Sequence, residues 1–538
     1  MNNERFSAMI ALLSNKECIR SPAALCEKLE LTGAAPCAVL LKRATDLMNG
    51  GDWERCQEVA LKAREYAWEQ LHSGLSWQAV APVHREAYGV AGVLVAVAEF
   101  LTPEPNSVAK AIYSLDLVAL MAGAKFQEIA NQFVEQMERH AEKEQADTTS
   151  AARYSRLPAA STNPASAGGS SRKENVGDQS TTAVSPCRQE AEHMCGSAAK
   201  KARQSPHRSD LEGQGLQRDE GVRRVECPSL HVFQREYMET TTPVILTGVM
   251  DGWPAMGQQA HGSGDTCDWS DPSYLRRVAG RRTVPVEVGG CYTGEGWRQE
   301  LMTIGDFIAR YIETPPQQEA VHTVSSNCST VSQTGSGDRK LDGGEVAVKK
   351  GGDEDGRCPL QSSTSETSAG RKGVDDGARD TAYLAQHQLF DQIPALRRDV
   401  MTPDYCALLL GDEEDQAGAA SVIMNAWFGP EGTVSPLHND PFHNLLAQVV
   451  GKKRVLMVDH TLSNSVYPRP GLMTNTSAVD AANPDLDEHP LFKNAMPLVE
   501  CELRKGEMLY IPPLFWHHIT SLEVSFSVSF WWGKRRTL

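Results

Sequence analysis

His438 and Asp440 stand two residues apart in Ser435-Pro436-Leu437-His438-Asn439-Asp440. On an extended strand alternate side chains share a face, so this imidazole and carboxylate project together and can hold one divalent ion as adjacent ligands. A second imidazole from a neighbouring strand completes a facial triad with three coordination positions left open. The segment GEMLYIPPLFWHH at 506–518 offers that imidazole, because a turn, a strand and a Pro512-Pro513 bend lead straight into Trp516-His517-His518. Either His517 or His518 fits on spacing alone. His443 and His460 lack a strand partner in the pattern and read as ordinary polar histidines.

Two further segments bear on the same chemistry. NLLAQVVGKKRVLMV at 444–458 reads as a hairpin turning at Gly451, which sets Lys453 on the strand next to the metal strand. A buried lysine is costly unless its charge is paired, and a small carboxylate ligand is one way to pair it; an exposed turn lysine is the plain alternative. SFSVSFWW at 525–532 alternates small polar and large apolar side chains, as a strand does when one face packs and the other meets a polar cavity.

The elements that position these residues emerge from the whole chain of 538 residues, 41% of them hydrophobic. Residues 1–143 have helical periodicity: Cys56, Val59, Ala60, Ala63 and Ala67 recur at three- and four-residue spacing behind Asp52, a candidate cap. No paired polar groups there suggest chemistry, so this region reads as a structural or partner-docking helical domain. Residues 144–222 are rich in Ser, Ala, Thr and Gly and read as a disordered linker, whose Lys200, Lys201, Arg203, His207 and Arg208 are either solvated charge or an import signal. From 223 to 538 short strands dominate (PVIL at 243–246, RTVPVEV at 282–288), with a helix in MTIGDFIARYI capped by Thr303. Residues 315–380 lose all periodicity and read as an insertion, after which 381–538 forms the strand-rich core of a sandwich or barrel.

Composition removes several classes. A net charge of −16 disfavours a surface that tracks nucleic-acid phosphates. The 13 cysteines include no C-x-x-C pair and none closer than eight residues to the next, so neither a disulfide framework nor a zinc ribbon is indicated. The apolar run at 89–98 is about half of the ~20 residues a membrane helix needs, and the run at 8–13 is too short for a secretion signal. The expected location is nuclear or cytoplasmic, without secretion.

WFGPEGTVSPLHNDP at 427–441, GKKR at 451–454, LYIPPLFWHH at 509–518 and SFSVSFWW together resemble the Jumonji-C class of iron(II)- and 2-oxoglutarate-dependent oxygenases. PVILTGVMDGWPAM, YLRRVAGRRTVPVEVG, YLAQHQLFDQIPALRRD and TPDYC resemble one subgroup of that class, over about 226–314 and 381–538 with a weaker likeness in the helical region. The resemblance implies an α+β chain in which an all-helical domain precedes a double-stranded β-helix of cupin or jelly-roll type. It implies His438, Asp440 and His517 as Fe(II) ligands, the last because the family's ligand directly follows the tryptophan. It implies 2-oxoglutarate and O2 as cosubstrates, with Lys453 on the distal carboxylate, Tyr383, Ser435 and Asn444 as neutral hydrogen-bonding groups, and Trp531 as a wall.

In the subgroup an acidic and aromatic pocket receives an arginyl side chain, and Glu287, Tyr292, Trp297, Asn425 and Trp427 occupy the matching positions here. The acidic loop at 411–415 lies close in sequence to this set, and the five residues after it extend the family's pattern. The activity so implied is hydroxylation of a protein side chain, arginine first, with the Asp440 ligand standing where many demethylases of the class have Glu. Histone lysine N-methyl demethylation is the alternative within the class. A non-catalytic chromatin or partner-binding module and a zinc hydrolase on the same triad are the alternatives outside it.

Overall fold

The computed structural model describes residues 2–72, 80–154, 221–259, 266–294, 296–313, 381–410 and 422–537. Most of the expected linker with its basic cluster, the insertion at 315–380 and the acidic loop at 411–415 lie outside these described residues.

Eight described helices come first: α1 Asn2–Ser14, α2 Glu17–Arg20, α3 Ala23–Leu31, α4 Ala35–Gly50, α5 Trp53–His72, α6 Pro82–Leu101, α7 Ser107–Met121 and α8 Ala124–Tyr154. In α5, Cys56, Ala60, Ala63 and Ala67 are all fully buried while Val59 is half-buried, and Asp52 Oδ1 accepts from Arg55 N at 3.4 Å. Helix α6 is apolar almost all round because it is the centre of the bundle, covered by α4, α5 and α7. Close approach there depends on small residues: a Cβ on Gly92 would stand 2.3 Å from Val118 of α7. Helix α8 runs past residue 143 to Tyr154, longer than composition suggests, since Ser, Thr and Asp lower helix propensity only slightly.

Fifteen described strands follow: β1 Arg223–Glu226, β2 Val244–Thr247, β3 Met256–Gln259, β4 Thr266–Asp268, β5 Thr283–Val288, β6 Arg298–Thr303, β7 Ala382–His387, β8 Ile423–Gly429, β9 Val434–His438, β10 His443–Val450, β11 Lys453–Val458, β12 Val499–Leu503, β13 Met508–Ile511, β14 Trp516–Ser521 and β15 Ser525–Trp532. They form a nine-stranded sheet (β1-β2-β13-β10-β15-β8-β7-β5-β6), a four-stranded sheet (β12-β11-β14-β9) and a small β3-β4 ribbon. Leu446, Leu509 and Ile511 of the large sheet meet Val455, Met457 and Ile519 of the small one in a shared buried cluster, so the two sheets close on each other as a jelly roll. Thr303 caps the helix after β6, its Oγ1 accepting from Asp306 N at 3.0 Å.

One expectation is corrected. The chain at Gly451 does not make a hairpin: β10 pairs with β13 and β15, whereas β11 pairs with β12 and β14 in the other sheet. Lys453 therefore sits two strands from β9, separated from it by β14. The local signal of apolar, Gly, apolar is the same for a corner between sheets as for a hairpin, and burial of β10 on both faces decides for the corner. The corner is tight. Gly451 has φ +72° and a Cβ there would meet Val524 O at 2.1 Å, so Gly451→Ala will destabilise the domain by about 3 kcal/mol, read as a lowered thermal midpoint.

Among the described residues no helix is long and apolar enough to cross a membrane, and the described cysteines are free thiols.

Candidate functional site

Strands β9 and β14 are antiparallel neighbours with His438 opposite His517, so the register itself brings the two imidazoles together. One ligand atom each of His438, Asp440 and His517 can be chosen with all three within 4.8 Å of one another, and His517 Nε2 lies 3.6 Å from Asp440 Oδ2. Both rings are held from behind: Nδ1 of His438 is 2.7 Å from Pro436 O and Nδ1 of His517 is 2.9 Å from Phe515 O. Each Nδ1 then donates to a carbonyl and leaves the Nε2 lone pair as the ligating atom, a tautomer assigned from these bonds. Leu514, at φ +64°, donates its N–H to Asp440 O at 2.7 Å, so the Pro-Pro bend is locked onto the loop that carries the carboxylate.

Electrostatics favour a cation at this point. Burial pushes the Asp440 carboxyl above its usual range, with the His438 charge opposing. Burial, then the His438 charge, hold His517 well below the ordinary imidazole value, so it stays neutral and able to ligate. His518 alternates to the opposite face of β14, opposite Leu456, and is not among the three converging groups. His443 binds Tyr510 Oη through Nδ1 at 2.8 Å in the core, and His460 lies beside Asp459 at the surface.

Behind the triad is an inner recess lined by Tyr383, Ser435, Asn444, Lys453 and Ser529 together with His438 and His517. Lys453 is 1% exposed, and its Nζ donates to Tyr383 Oη at 3.0 Å. Burial pushes the ammonium down to about 7 and pushes the Tyr383 phenol up. Asn444 Oδ1 and, opposite it on β15, Trp531 Nε1 are buried polar atoms with no hydrogen-bond partner. A buried ammonium whose described partner is a single neutral hydroxyl fits a small dicarboxylate, which supplies a charged acceptor for it in the recess.

In front of the triad a cleft of about 560 Å³ opens, lined by Glu287, Tyr292, Trp297, Trp427 and Trp531. Trp297 Nε1 donates to Glu287 Oε2 at 3.3 Å, Trp427 Nε1 donates to Ser529 Oγ at 3.0 Å, and Tyr292 Oη is 3.3 Å from Thr476 Oγ1. Burial raises the Glu287 carboxyl, with the Trp297 bond opposing. Tyr383, Trp427, Ser435, His438 and Asp440 line both spaces, which places the triad at the boundary between recess and cleft. Trp531 walls the cleft rather than the recess. Asn425 is buried two residues from Trp427 and lines neither, so the structure does not bring it to the site.

Several lining residues carried no pattern in the sequence. Asn475 and Thr476 form a rim over the triad: Thr476 bridges to His438, and Asn439 N donates to Asn475 O at 2.9 Å. Met473 and Arg535 line the cleft beside them. They come from irregular segments, where neither periodicity nor ligand spacing marks a position; the Asn-Thr pair in a loop was the only signal.

A jelly roll with two histidines and an aspartate at the mouth of a lysine-floored recess defines a cupin-type 2-oxoglutarate-dependent oxygenase. Residues 229–537 match the family described as a cupin-like domain, and residues 42–151 match "KDM8-like, N-terminal ARM repeats". The chain belongs to this cupin-like, Jumonji-C family. It is 41% identical over 313 residues to lysine-specific demethylase 8 of Danio rerio, an alignment spanning 58% of each chain. It is 30% identical to lysine-specific demethylase 8 of Xenopus tropicalis over 92% of each chain, and 33% identical to lysine-specific demethylase JMJ30 of Arabidopsis thaliana over 89% of this chain and 86% of that one.

Proposed function

We propose that the chain hydroxylates a cationic side chain of a protein using Fe(II), 2-oxoglutarate and O2, and that the carbon attacked is an N-methyl group of lysine, as in a histone tail. His438, Asp440 and His517 hold the metal. Lys453, Tyr383, Ser435 and Asn444 hold the cosubstrate. When bound, iron and 2-oxoglutarate supply the oxidising chemistry, in which O2 and 2-oxoglutarate give succinate, CO2 and one hydroxylated carbon. The chain's residues do the rest. Glu287 attracts the cation, and Trp297, Tyr292 and Trp427 offer aromatic faces to it, the arrangement that suits a methylated ammonium. An N-hydroxymethyl product then loses formaldehyde to leave the amine.

The observation that carries this reading is the carboxylate and aromatic cleft opening directly onto the triad, and the names of the relatives support methyl-lysine over arginine. Glu287 also favours a second reading: a carboxylate beside a tryptophan can take a guanidinium in two parallel bonds while the ring stacks on its plane, which would hydroxylate an arginine carbon. A nuclear or cytoplasmic site of action, and partner docking on the helical region, belong to the same proposal.

Incubation with methyl-lysine and arginine peptides, followed by mass spectrometry, separates the readings. Loss of one methyl with formaldehyde release is the outcome expected. A gain of one oxygen on unmethylated arginine, with the methyl-lysine peptides untouched, would replace it with the second reading. Succinate formation that is equal in the wild type and in His438→Ala would remove both and leave a non-catalytic binding module.

A further inference from the structure

Asp116 lies in the middle of α7, in the helical region, and is fully buried, yet none of its hydrogen-bond partners described here is helical-bundle core. Its Oδ1 accepts from Arg282 Nε at 2.9 Å, Arg282 Nη2 at 2.7 Å and Gln392 Nε2 at 2.9 Å, and its Oδ2 accepts from Thr283 N at 2.7 Å. Arg282 and Thr283 are the entry to β5. Gln392, in the short helix Leu389–Gln392, also donates to Thr283 O at 2.8 Å and meets His387 Nε2 at 2.7 Å. His387 is the last residue of β7. One carboxylate of the helical region thus grips the start of β5 directly and the end of β7 through Gln392.

The same two strands carry site residues at their other end. They are antiparallel, and Glu287 of β5 stands opposite Tyr383 of β7. From Thr283 to Glu287 is about 13 Å along a strand, so the grip and the site are two ends of one short ribbon. The ribbon is not aligned by its own ladder. Only Glu287–Tyr383 and Val288–Ala382 pair between β5 and β7, the pairing of β7 with β8 shifts between Leu384 and His387, and Gln386 sits at φ +46°. A strand with so few regular bonds needs its register fixed from outside, because a slip alters which face each side chain meets.

We infer that Asp116 is a positioning residue: through Arg282, Thr283 and Gln392 the helical region sets the β5–β7 ribbon and thereby holds Tyr383 against Lys453 and Glu287 at the cleft. The helical region is therefore part of the oxygenase site's support, in addition to any docking it performs. This rests on the proposed role of Tyr383 and Lys453 in holding 2-oxoglutarate.

The test uses the full chain with Mn(II) and measures 2-oxoglutarate affinity by calorimetry alongside the thermal midpoint. Gln392→Met conserves volume and keeps the Asp116–Arg282 pair, so it remains folded while releasing β7; 2-oxoglutarate should bind about tenfold more weakly, the order seen when an outer-shell support is lost. Asp116→Asn should weaken it at least as much. Val118→Ala, also on α7 but pointing into the helical core, lowers the midpoint and should leave the affinity within about twofold. Wild-type affinity in folded Gln392→Met overturns the inference, as does an equal loss in Val118→Ala, which would show general destabilisation instead. Lys453→Met is the reference: unchanged affinity there removes the cosubstrate reading and this inference with it, whereas weakened binding there and wild-type binding in Gln392→Met removes the inference alone.

Discussion

Lys453→Met will weaken 2-oxoglutarate binding by roughly 10²- to 10⁴-fold, the 3–5 kcal/mol typical of leaving one member of a buried charge pair alone. The same substitution will raise the thermal midpoint of the protein without ligand, because it removes a buried ammonium whose hydrogen-bond acceptor is the Tyr383 hydroxyl. Opposite signs for binding and stability mark a residue kept for its ligand. The pH dependence follows from the same burial. In the folded protein the ammonium is pushed down to about 7, below its unfolded value, so between pH 7 and about 10.5 the unfolded chain binds more protons and stability of the unliganded protein rises with pH. Ligand affinity runs the other way. A dicarboxylate raises the Lys453 value on binding, so affinity is fullest below pH 7 and falls as pH rises through 7, by up to about tenfold per pH unit until the liganded value is passed. Calorimetry from pH 6 to 8.5 checks this: a slope in the wild type that vanishes in Lys453→Met supports it, and parallel curves contradict it.

How much of this was legible in the sequence depends on the range of the interactions involved. His438 and Asp440 were legible because two-residue spacing on a strand is a local property, and so was the alternation of β15, where Ser527 and Ser529 turn to polar neighbours Gln448 and Trp427. The choice of His517 over His518 needed the register of β14 on β9, which a strand pattern leaves open by one residue and which resemblance alone suggested. Lys453 was found, but on the wrong strand neighbour, since Gly451 looks alike whether the chain folds back or crosses to the other sheet. Asn425 was placed at the site by the family resemblance, yet a matching position on a strand does not fix which space its side chain lines, and here it is buried outside both recess and cleft. Asp116 gave no signal at all. A lone aspartate in an apolar helix reads as a surface residue until the partner 166 positions away, Arg282, is folded against it.

Removing the metal ligands tests the centre of the site. His438→Ala and His517→Ala will each reduce Mn(II) affinity by at least 100-fold and abolish detectable succinate formation, because loss of one of three protein ligands exceeds the 10- to 100-fold cost of losing an outer-shell partner. His518→Ala will leave metal affinity within a few-fold, since its ring lies on the other face of β14. The contrast separates adjacent residues in one strand, so general destabilisation of β14 cannot mimic it: His517→Ala and His518→Ala both open a buried cavity of the same size, and only one should lose the metal. Equal losses in both would mean the strand, and not the ligand, governs binding. The wild-type requirement for 2-oxoglutarate and O2 completes the test, for a zinc hydrolase on the same three residues would turn over without either, and retained turnover in anaerobic buffer would put water in place of the cosubstrate at the open positions.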